Sequence, residues 1–127
     1  MNVASTASYQ AVPTFSVYAA TKAFVVLFTR WLRYELRDTS VSVTCLSPGA
    51  TATNFVDRAR LQAIKERADK FSMRAEEVAR IGIDGMLKGK PEIIPGFVNW
   101  FSSQLTGFVP KALTEKIAAG LYKDALK

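Results

Sequence analysis

The sequence predicts an α/β fold in which about three short parallel strands carry flanking helices and a helical tail. Three observations support this fold class. Strand-like and helix-like segments alternate along the chain. A long helical segment runs through a short loop into a strand, which is the second half of a right-handed strand–helix–strand crossover. Of the 127 residues, 49% are apolar, which is enough for a single compact core.

The first elements are a strand and a long helix. The residues "MNVAS" favour a short strand, and the loop-like stretch "TASYQAVPTF" follows. Helix-favouring residues then run from Ser16 to Arg37. Because the segment from Ala23 to Phe28 is apolar almost all round, this helix is expected to be buried between other layers. Three arginines at spacings of three and four are expected to form a solvated stripe: Arg30, Arg33 and Arg37.

The next elements complete the alternation. In "VSVTCLSPG", Val41, Val43 and Cys45 alternate with polar residues, which predicts a strand of about six residues that a Pro-Gly turn closes. A charged helix is expected at 54–71. A further helix begins near "AEEVAR", with acidic residues at its start and lysines at its end, as the helix dipole prefers, and Gly89 can stop it. The residues "PEIIPG" predict a third strand.

The tail at 97–127 has a different character. Four apolar residues share one helical face with Trp100 beside them: Phe97, Phe101, Leu105 and Phe108. Pro110 interrupts the pattern, and apolar residues then recur every four positions among lysines. The tail therefore predicts two amphipathic helices. They either fold back on the domain or form a surface for a membrane or a partner protein.

Composition excludes several classes of site. The chain has no histidine, which rules out Ser-His-Asp and Cys-His nucleophiles and histidine-ligated metals. The single cysteine, Cys45, permits no internal disulfide and no thiolate cluster, so we expect no metal site and a reducing, cytoplasmic location. The net charge of +6 is spread along helices and not gathered into a patch, so nucleic acid is not an expected partner.

The phrase "YAATK" places a tyrosine and a lysine four residues apart near the start of the long helix. Residues at i and i+4 share a helix face, so Tyr18 and Lys22 are expected to point the same way. A nearby cation favours the phenolate form of a phenol, which suits general acid–base chemistry near neutral pH. Taken alone, this spacing is unspecific.

Two further features lie at the ends of predicted strands. Ser5 ends the first strand, thirteen residues before Tyr18, and "PGATAT" follows the second strand. In α/β folds, ligands bind outside the carboxyl ends of parallel strands. The sequence therefore predicts a site formed by a hydroxyl, a Tyr/Lys pair and a Pro-Gly turn.

Together these stretches resemble the active-site segment of the short-chain dehydrogenase/reductase family. The resemblance lies in the ordered residues Ser5, Tyr18, Lys22, Pro48, Gly49 and Thr53, within "NVASTASYQAVPTFSVYAATKAF" and "VSVTCLSPGATATNF". The resemblance implies hydride transfer between a nicotinamide cofactor and a carbonyl or alcohol substrate. The cofactor would be NADP or NAD, with NADP slightly favoured, and the substrate is expected to be hydrophobic.

The resemblance also implies roles for individual residues. Tyr18 would be the general acid or base, and Lys22 would stabilise its phenolate and bind the nicotinamide ribose. Ser5 would orient the substrate carbonyl. The cofactor-binding residues would be Tyr18, Lys22, Pro48, Gly49, Thr51 and Thr53. Residues 54–71 would form the substrate lid, and a homo-oligomer is expected because the helix around Phe24 joins the dimer surface in many relatives.

The family's Gly-rich phosphate loop does not occur in this sequence, and neither does its Asn-Asn-Ala-Gly tract. Residues 1–127 are therefore expected to form one partial Rossmann-like domain, the C-terminal half of a doubly wound parallel sheet that begins near the family's fifth strand. Two alternatives to an active reductase stay open. One is a non-enzymatic remnant that binds a partner through an open strand edge or the tail. The other is a membrane-surface protein that uses residues 97–127.

Overall fold

The structure is a computed structural model that describes residues 1–10, 15–53 and 72–121. In these ranges the short strands are β1 (Asn2–Val3), β2 (Cys45–Leu46), β3 (Thr51–Ala52), β4 (Met73–Arg74) and β5 (Glu92–Ile93). The α-helices described there are α1 (Ser16–Glu35), α2 (Ala75–Leu87), α3 (Phe97–Leu105) and α4 (Lys111–Leu121). A 3-10 turn, Thr6–Tyr9, follows β1. The predicted lid helix at 54–71 lies outside the described residues, as do 122–127.

The main sheet is parallel and has the order β1-β2-β5. Asn2 and Val3 pair with Cys45 and Leu46, which pair in turn with Glu92 and Ile93. Backbone hydrogen bonds extend the β1–β2 ladder in both directions, from the Asn2 amide to the Thr44 carbonyl and from the Thr6 amide to the Pro48 carbonyl, both at 2.9 Å. The carboxyl ends of β1 and β2 therefore lie side by side. A second, two-stranded parallel sheet pairs β3 with β4.

Helices cover both faces of the main sheet. Consecutive strand residues point to opposite faces, and Cys45 and Leu46 belong to different core clusters. Cys45 packs with Ala4 and with Val26 of α1. Leu46 packs with Ile93 and with Val78 of α2. The predicted α/β class with parallel strands and flanking helices is thus confirmed, in a partial Rossmann-like form.

Helix α2 approaches the sheet closely because two of its residues facing the sheet are glycines. A Cβ atom added at Gly82 would lie 2.8 Å from a methyl carbon of Leu46, and one at Gly85 would lie 2.3 Å from a methyl carbon of Ile93. At its C-terminal end the helix gives way to Gly89, whose φ of 67° lies in the left-handed region that favours glycine. The predicted role of Gly89 as a helix stop is consistent with this geometry.

The surroundings of α1 differ from the sequence expectation of a helix buried between layers. Only Val26 and Thr29 of this helix are buried, and its opposite face is exposed along most of its length. That face carries five large side chains: Phe24, Leu27, Phe28, Trp31 and Tyr34. The helix packs one stripe on the small sheet, and within the described residues no second layer covers the other stripe.

The expected solvated arginine stripe on α1 also differs from the structure. Arg30 forms an ion pair with Glu92 of β5 at 3.1 Å. Arg33 donates to the carbonyls of Val43 and Gly89, at 2.8 and 3.3 Å. A long guanidinium side chain can extend from a helix and donate to backbone carbonyls in neighbouring segments. Arg30 and Arg33 therefore connect α1 to the sheet and to the segments that flank its strands.

The second strand lies later than the alternating pattern predicts. Its ladder runs from Thr44 to Pro48, and the consecutive residues Val43 to Ser47 are all buried. A central parallel strand has helices on both faces, so its side chains are buried without alternation. The alternation of apolar and polar residues at 41–45 therefore predicts the bounds of this strand less well than the position of the strand between two helices does.

The tail forms two helices, as predicted, with Pro110 between α3 and α4. Most of the large apolar side chains of α3 are exposed, including Phe97 at 76%, while Phe108 just beyond it is 90% exposed. Within the described residues, no helix combines the length and apolar character that crossing a bilayer requires. The exposed tail is thus a surface feature of the domain.

Candidate active site

Ser5 lies directly after β1, where the chain enters the 3-10 turn. Its backbone is extended, and its Oγ accepts a hydrogen bond from the Ala7 amide at 3.2 Å, so that it caps the turn. A hydroxyl that accepts from an amide keeps its own proton for donation. Ser5 is therefore placed as a hydrogen-bond donor at the carboxyl end of the sheet.

Tyr18 and Lys22 lie one turn apart on the first half of α1. The Lys22 ammonium is 5.7 Å from the centroid of the Tyr18 ring, close enough for a cation–π interaction. Its Nζ also donates to the Val3 carbonyl of β1 at 3.1 Å. Phe15 meets the Tyr18 ring edge-to-face, with centroids 6.0 Å apart. The pair therefore shares one helix face, beside the strand that leads to Ser5.

The Pro48–Gly49 turn follows β2 and adjoins the Ser5 turn, because the Thr6 amide donates to the Pro48 carbonyl. Thr51 donates from Oγ1 to the Gly49 carbonyl at 3.1 Å and then enters β3. Thr53 follows β3 and is exposed. The contacts thus connect Tyr18, Lys22, the β1 end, the Ser5 turn and the Pro-Gly turn in one continuous chain.

Asn99 of α3 lies against Gly49 and was not indicated by the sequence. A Cβ atom added at Gly49 would be 2.5 to 2.7 Å from all three atoms of the Asn99 amide group. The amide is held in place by donation from Nδ2 to the Pro95 carbonyl at 2.9 Å. A side chain at position 49 would therefore have to displace the Asn99 amide from its contact with the Pro-Gly turn.

A partly buried polar network lies behind the Ser5 turn. The Tyr9 hydroxyl donates to Glu92 Oε1 and is 3.1 Å from Ser47 Oγ. The other carboxylate oxygen of Glu92 accepts from Arg30. Ser47 is in turn 3.8 Å from the sulfur of Cys45. We call Tyr9, Ser47, Glu92 and Arg30 the Glu92 network. No motif in the sequence indicates it, because its members come from four separate segments.

The network changes the acidity of two of the groups in it. Burial raises the pKa of Tyr9 well above its usual value of 10.0, and the hydrogen bond to Glu92 raises it further. Burial likewise raises the pKa of the Cys45 thiol, and the hydrogen bond from Ser47 only partly offsets this rise. Both groups are therefore held in their neutral forms at neutral pH.

The raised pKa of Tyr9 predicts that the folded protein loses stability at alkaline pH. Since its pKa is higher in the folded than in the unfolded state, its contribution is complete below pH 10 and falls as the pH rises above that value. We expect the stability advantage of the native chain over a Tyr9→Phe variant to shrink between pH 9 and pH 11 in urea unfolding. A Tyr34→Phe variant is the control, since that ring is exposed. An advantage independent of pH would contradict the prediction.

A shallow cleft of about 310 Å³ opens on the other side of the Ser5 turn. Its lining from α1 consists of the small residues Ala19, Ala20 and Ala23. Ser8 and Tyr9 contribute to it from the turn, and Thr106 contributes from the segment after α3. The alanines give the cleft an apolar wall on α1, whereas most of its other lining residues are polar and Glu115 of α4 is charged.

Comparisons with known proteins find short-chain dehydrogenases and other oxidoreductases. Residues 1–63 match the family model described as short chain dehydrogenase. The chain is 32% identical to the uncharacterized oxidoreductase DltE of Bacillus subtilis (strain 168), over 73% of its own length and 36% of the relative's. It is 24% identical to 17-beta-hydroxysteroid dehydrogenase type 3 of Rattus norvegicus, over all of its length and 40% of the relative's.

One solved structure has a similar fold. It is a short-chain dehydrogenase from Sphingobium yanoikuyae in complex with NADPH, matched with a TM-score of 0.64 and 24% identity. The match covers 87% of this chain and 45% of that one. The chain thus spans less than half the length of each of these three proteins.

Proposed function

The chain belongs to the short-chain dehydrogenase family, and on that premise we propose that it contributes the catalytic segment of an NAD(P)-dependent oxidoreductase. The reaction class is hydride transfer between a nicotinamide cofactor and a carbonyl or alcohol substrate. The observation that carries the proposal is the continuous set of contacts from Tyr18 and Lys22, through the end of β1, to the Ser5 and Pro48–Gly49 turns.

In this proposal each residue has a defined task. Ser5 donates its hydroxyl proton in a hydrogen bond to the substrate oxygen and orients the carbonyl. Tyr18 holds the proton that passes to this oxygen during reduction, and takes a proton from the alcohol in the reverse direction. Lys22 stabilises the phenolate by its charge. When bound, the nicotinamide supplies or accepts the hydride.

The residues present fit the nicotinamide and ribose end of the cofactor. The Lys22 ammonium has three N–H groups. One of them donates to the Val3 carbonyl, so that the others can donate to ribose hydroxyls. Pro48, Gly49, Thr51 and Thr53 would line the nicotinamide and its carboxamide. The pyrophosphate end has no matching residues, since none of the seven glycines lies in a Gly-rich phosphate loop.

The substrate we propose is a small, hydrophobic carbonyl compound. The alanine side chains of α1 that line the cleft beside the Ser5 turn support an apolar substrate. The relative from Rattus norvegicus is named for a steroid substrate class, and a flat apolar ketone would suit such surroundings.

A homo-oligomer is part of the same proposal, and the exposed apolar face of α1 supports it.

A titration with NADPH and NADH tests the proposed function directly. We expect micromolar binding of NADPH, somewhat tighter than that of NADH, measured by the fluorescence of the reduced nicotinamide. Replacing Lys22 by methionine should weaken binding by about tenfold, because hydrogen bonds from a charged donor contribute about 1.5–3 kcal/mol. Lys116→Met is the matched control, since Lys116 is exposed on α4. Failure of the folded chain to bind either nucleotide would overturn the proposal.

The tail supports a second proposed property, peripheral contact with anionic membranes. Aromatic side chains on α3 are exposed, with Phe97 and Phe101 stacked at 6.1 Å between centroids. Helix α3 itself has no charged residue, and the basic residues Lys111 and Lys116 come from the neighbouring helix α4. Exposed aromatic residues combined with basic charge are typical of helices that lie in a membrane interface.

Liposome sedimentation tests the membrane contact. With vesicles that contain phosphatidylserine, we expect Phe97→Ser/Phe101→Ser to reduce binding at least tenfold, because each buried aromatic ring contributes about 1.5–3 kcal/mol. Leu87→Ser, which alters an equally exposed apolar residue on α2, should bind as the native chain does. Equal binding by both variants would refute the assignment to α3.

A further inference from the structure

We propose that Tyr9 and Glu92 are positioning residues that hold Ser5 in the place its hydrogen bond to substrate requires. The inference rests on the proposed function, because it concerns the role of Ser5 in that reaction. It starts from the Glu92 network, which joins the Ser5 turn to β2, α1 and β5. Three of these four elements also carry residues of the candidate site.

The Ser5 turn packs against α1, and polar contacts hold its two ends in addition. It is a 3-10 helix of four residues, Thr6–Tyr9, and none of its residues is fully buried. Such short helices have poor hydrogen-bond geometry and depend on tertiary contacts. The Thr6 amide anchors the first end of the turn to the Pro48 carbonyl. Tyr9 anchors the other end through its side chain.

Tyr9 makes hydrogen bonds that packing of its ring alone would not require. A phenylalanine at position 9 would supply the same ring, whereas the tyrosine hydroxyl donates to a carboxylate and contacts Ser47 Oγ. Hydrogen bonds to a carboxylate are about twice as strong as neutral ones. The Glu92 side chain is only 24% exposed, so water competes little for it. Arg30 binds the second carboxylate oxygen and fixes the orientation of the group.

Both anchors lead to the same place in the fold. Ser47 and Pro48 are consecutive residues at the end of β2, and each contacts one end of the turn. Ser5 directly precedes the turn and caps it through the Ala7 amide. Loss of the Tyr9 hydrogen bonds would leave this end of the turn held by packing alone, so that the Ser5 hydroxyl would sample several positions. Small displacements of a substrate-orienting group have large effects on rate.

Amide hydrogen exchange measured by NMR tests the positioning without any need for activity. In Tyr9→Phe and in Glu92→Gln, we expect the Thr6 and Ala7 amides to exchange about tenfold faster than in the native chain, since a charge-assisted hydrogen bond is lost. The amides of α2 should be unchanged. Tyr34→Phe is the matched control, because it removes a hydroxyl from an exposed ring on α1. Unchanged exchange at Thr6 and Ala7 would overturn the inference.

A double-mutant cycle separates positioning from a general loss of structure. We expect Tyr9→Phe to lower kcat/KM about tenfold in the native background and to have no further effect in a Ser5→Ala background. NADPH affinity should be the same in all four proteins, because Ser5 acts on the substrate. An equal decrease in both backgrounds would overturn the inference. Faster exchange in a chain that reduces no carbonyl compound would overturn the proposed function and leave only an anchored turn.

Discussion

Replacing Tyr18 by phenylalanine is expected to lower kcat/KM for carbonyl reduction by about 10²–10⁴-fold, the range that general acid–base groups contribute. The substitution keeps the aromatic ring, and with it the edge-to-face contact with Phe15 and the neighbouring ammonium of Lys22. Only the phenolic hydroxyl group is removed. The decrease should be seen in steady-state oxidation of NADPH by a hydrophobic ketone, with NADPH affinity close to that of the native chain.

The matched control for Tyr18 is Tyr34→Phe on the same helix. The Tyr34 ring is exposed and lies 4.2 Å from the guanidinium of Arg37, away from the site. Its loss of a hydroxyl should leave the rate unchanged. Retention of full activity by Tyr18→Phe would contradict the assigned chemistry, and would favour the alternative in which this segment binds a partner and has no catalytic role.

Replacing Leu46 by alanine is expected to lower the free energy of unfolding by about 2–5 kcal/mol, as large-to-small changes in a core do. Leu46 is 4% exposed and lies in the central strand, where it packs with Val78 and Ile93. It also fills the space above Gly82, which has no side chain of its own. Because the helix backbone already approaches the sheet closely, it cannot move inward to fill the cavity. Urea unfolding followed by circular dichroism measures the effect.

Leu87→Ala provides the comparison for Leu46. Leu87 is the last residue of α2 and is 77% exposed, so the same chemical change there should alter the stability by about 0.5 kcal/mol or less. Similar losses at the two positions would mean that α2 does not pack on β2 as described.

The strand and helix pattern could be predicted because it depends on local sequence. The helix from Ser16 begins where its residues change from loop formers to helix formers, and Gly89 follows the end of α2 because a glycine is tolerated in the left-handed region. The parallel direction of the strands could be predicted because helices connect them, and parallel strands need such crossover connections. The bounds of β2 were less predictable, since a strand buried on both faces loses its alternation.

The Glu92 network could not be predicted, because Tyr9 and Glu92 are 83 positions apart. Neither residue has a spacing that marks it, and a glutamate in the short strand "PEIIPG" suggests a solvated edge. Arg30 likewise had the spacing of a surface arginine. Only the neighbouring placement of β2 and β5 brings these side chains together. Asn99 was missed for the same reason, since its contact with Gly49 depends on where α3 lies.

The hydrogen bond from Lys22 to the Val3 carbonyl has a consequence for colloidal behaviour. Within the described residues β1 has a paired neighbour on one side only, and the backbone groups along such a border can recruit a strand from another molecule. Here the ammonium occupies one of those acceptors. An incoming strand would have to displace a positively charged group, and a matching lysine on a second copy would repel it. Within the described residues, Lys22 therefore stands between the Val3 carbonyl and any strand that would pair there.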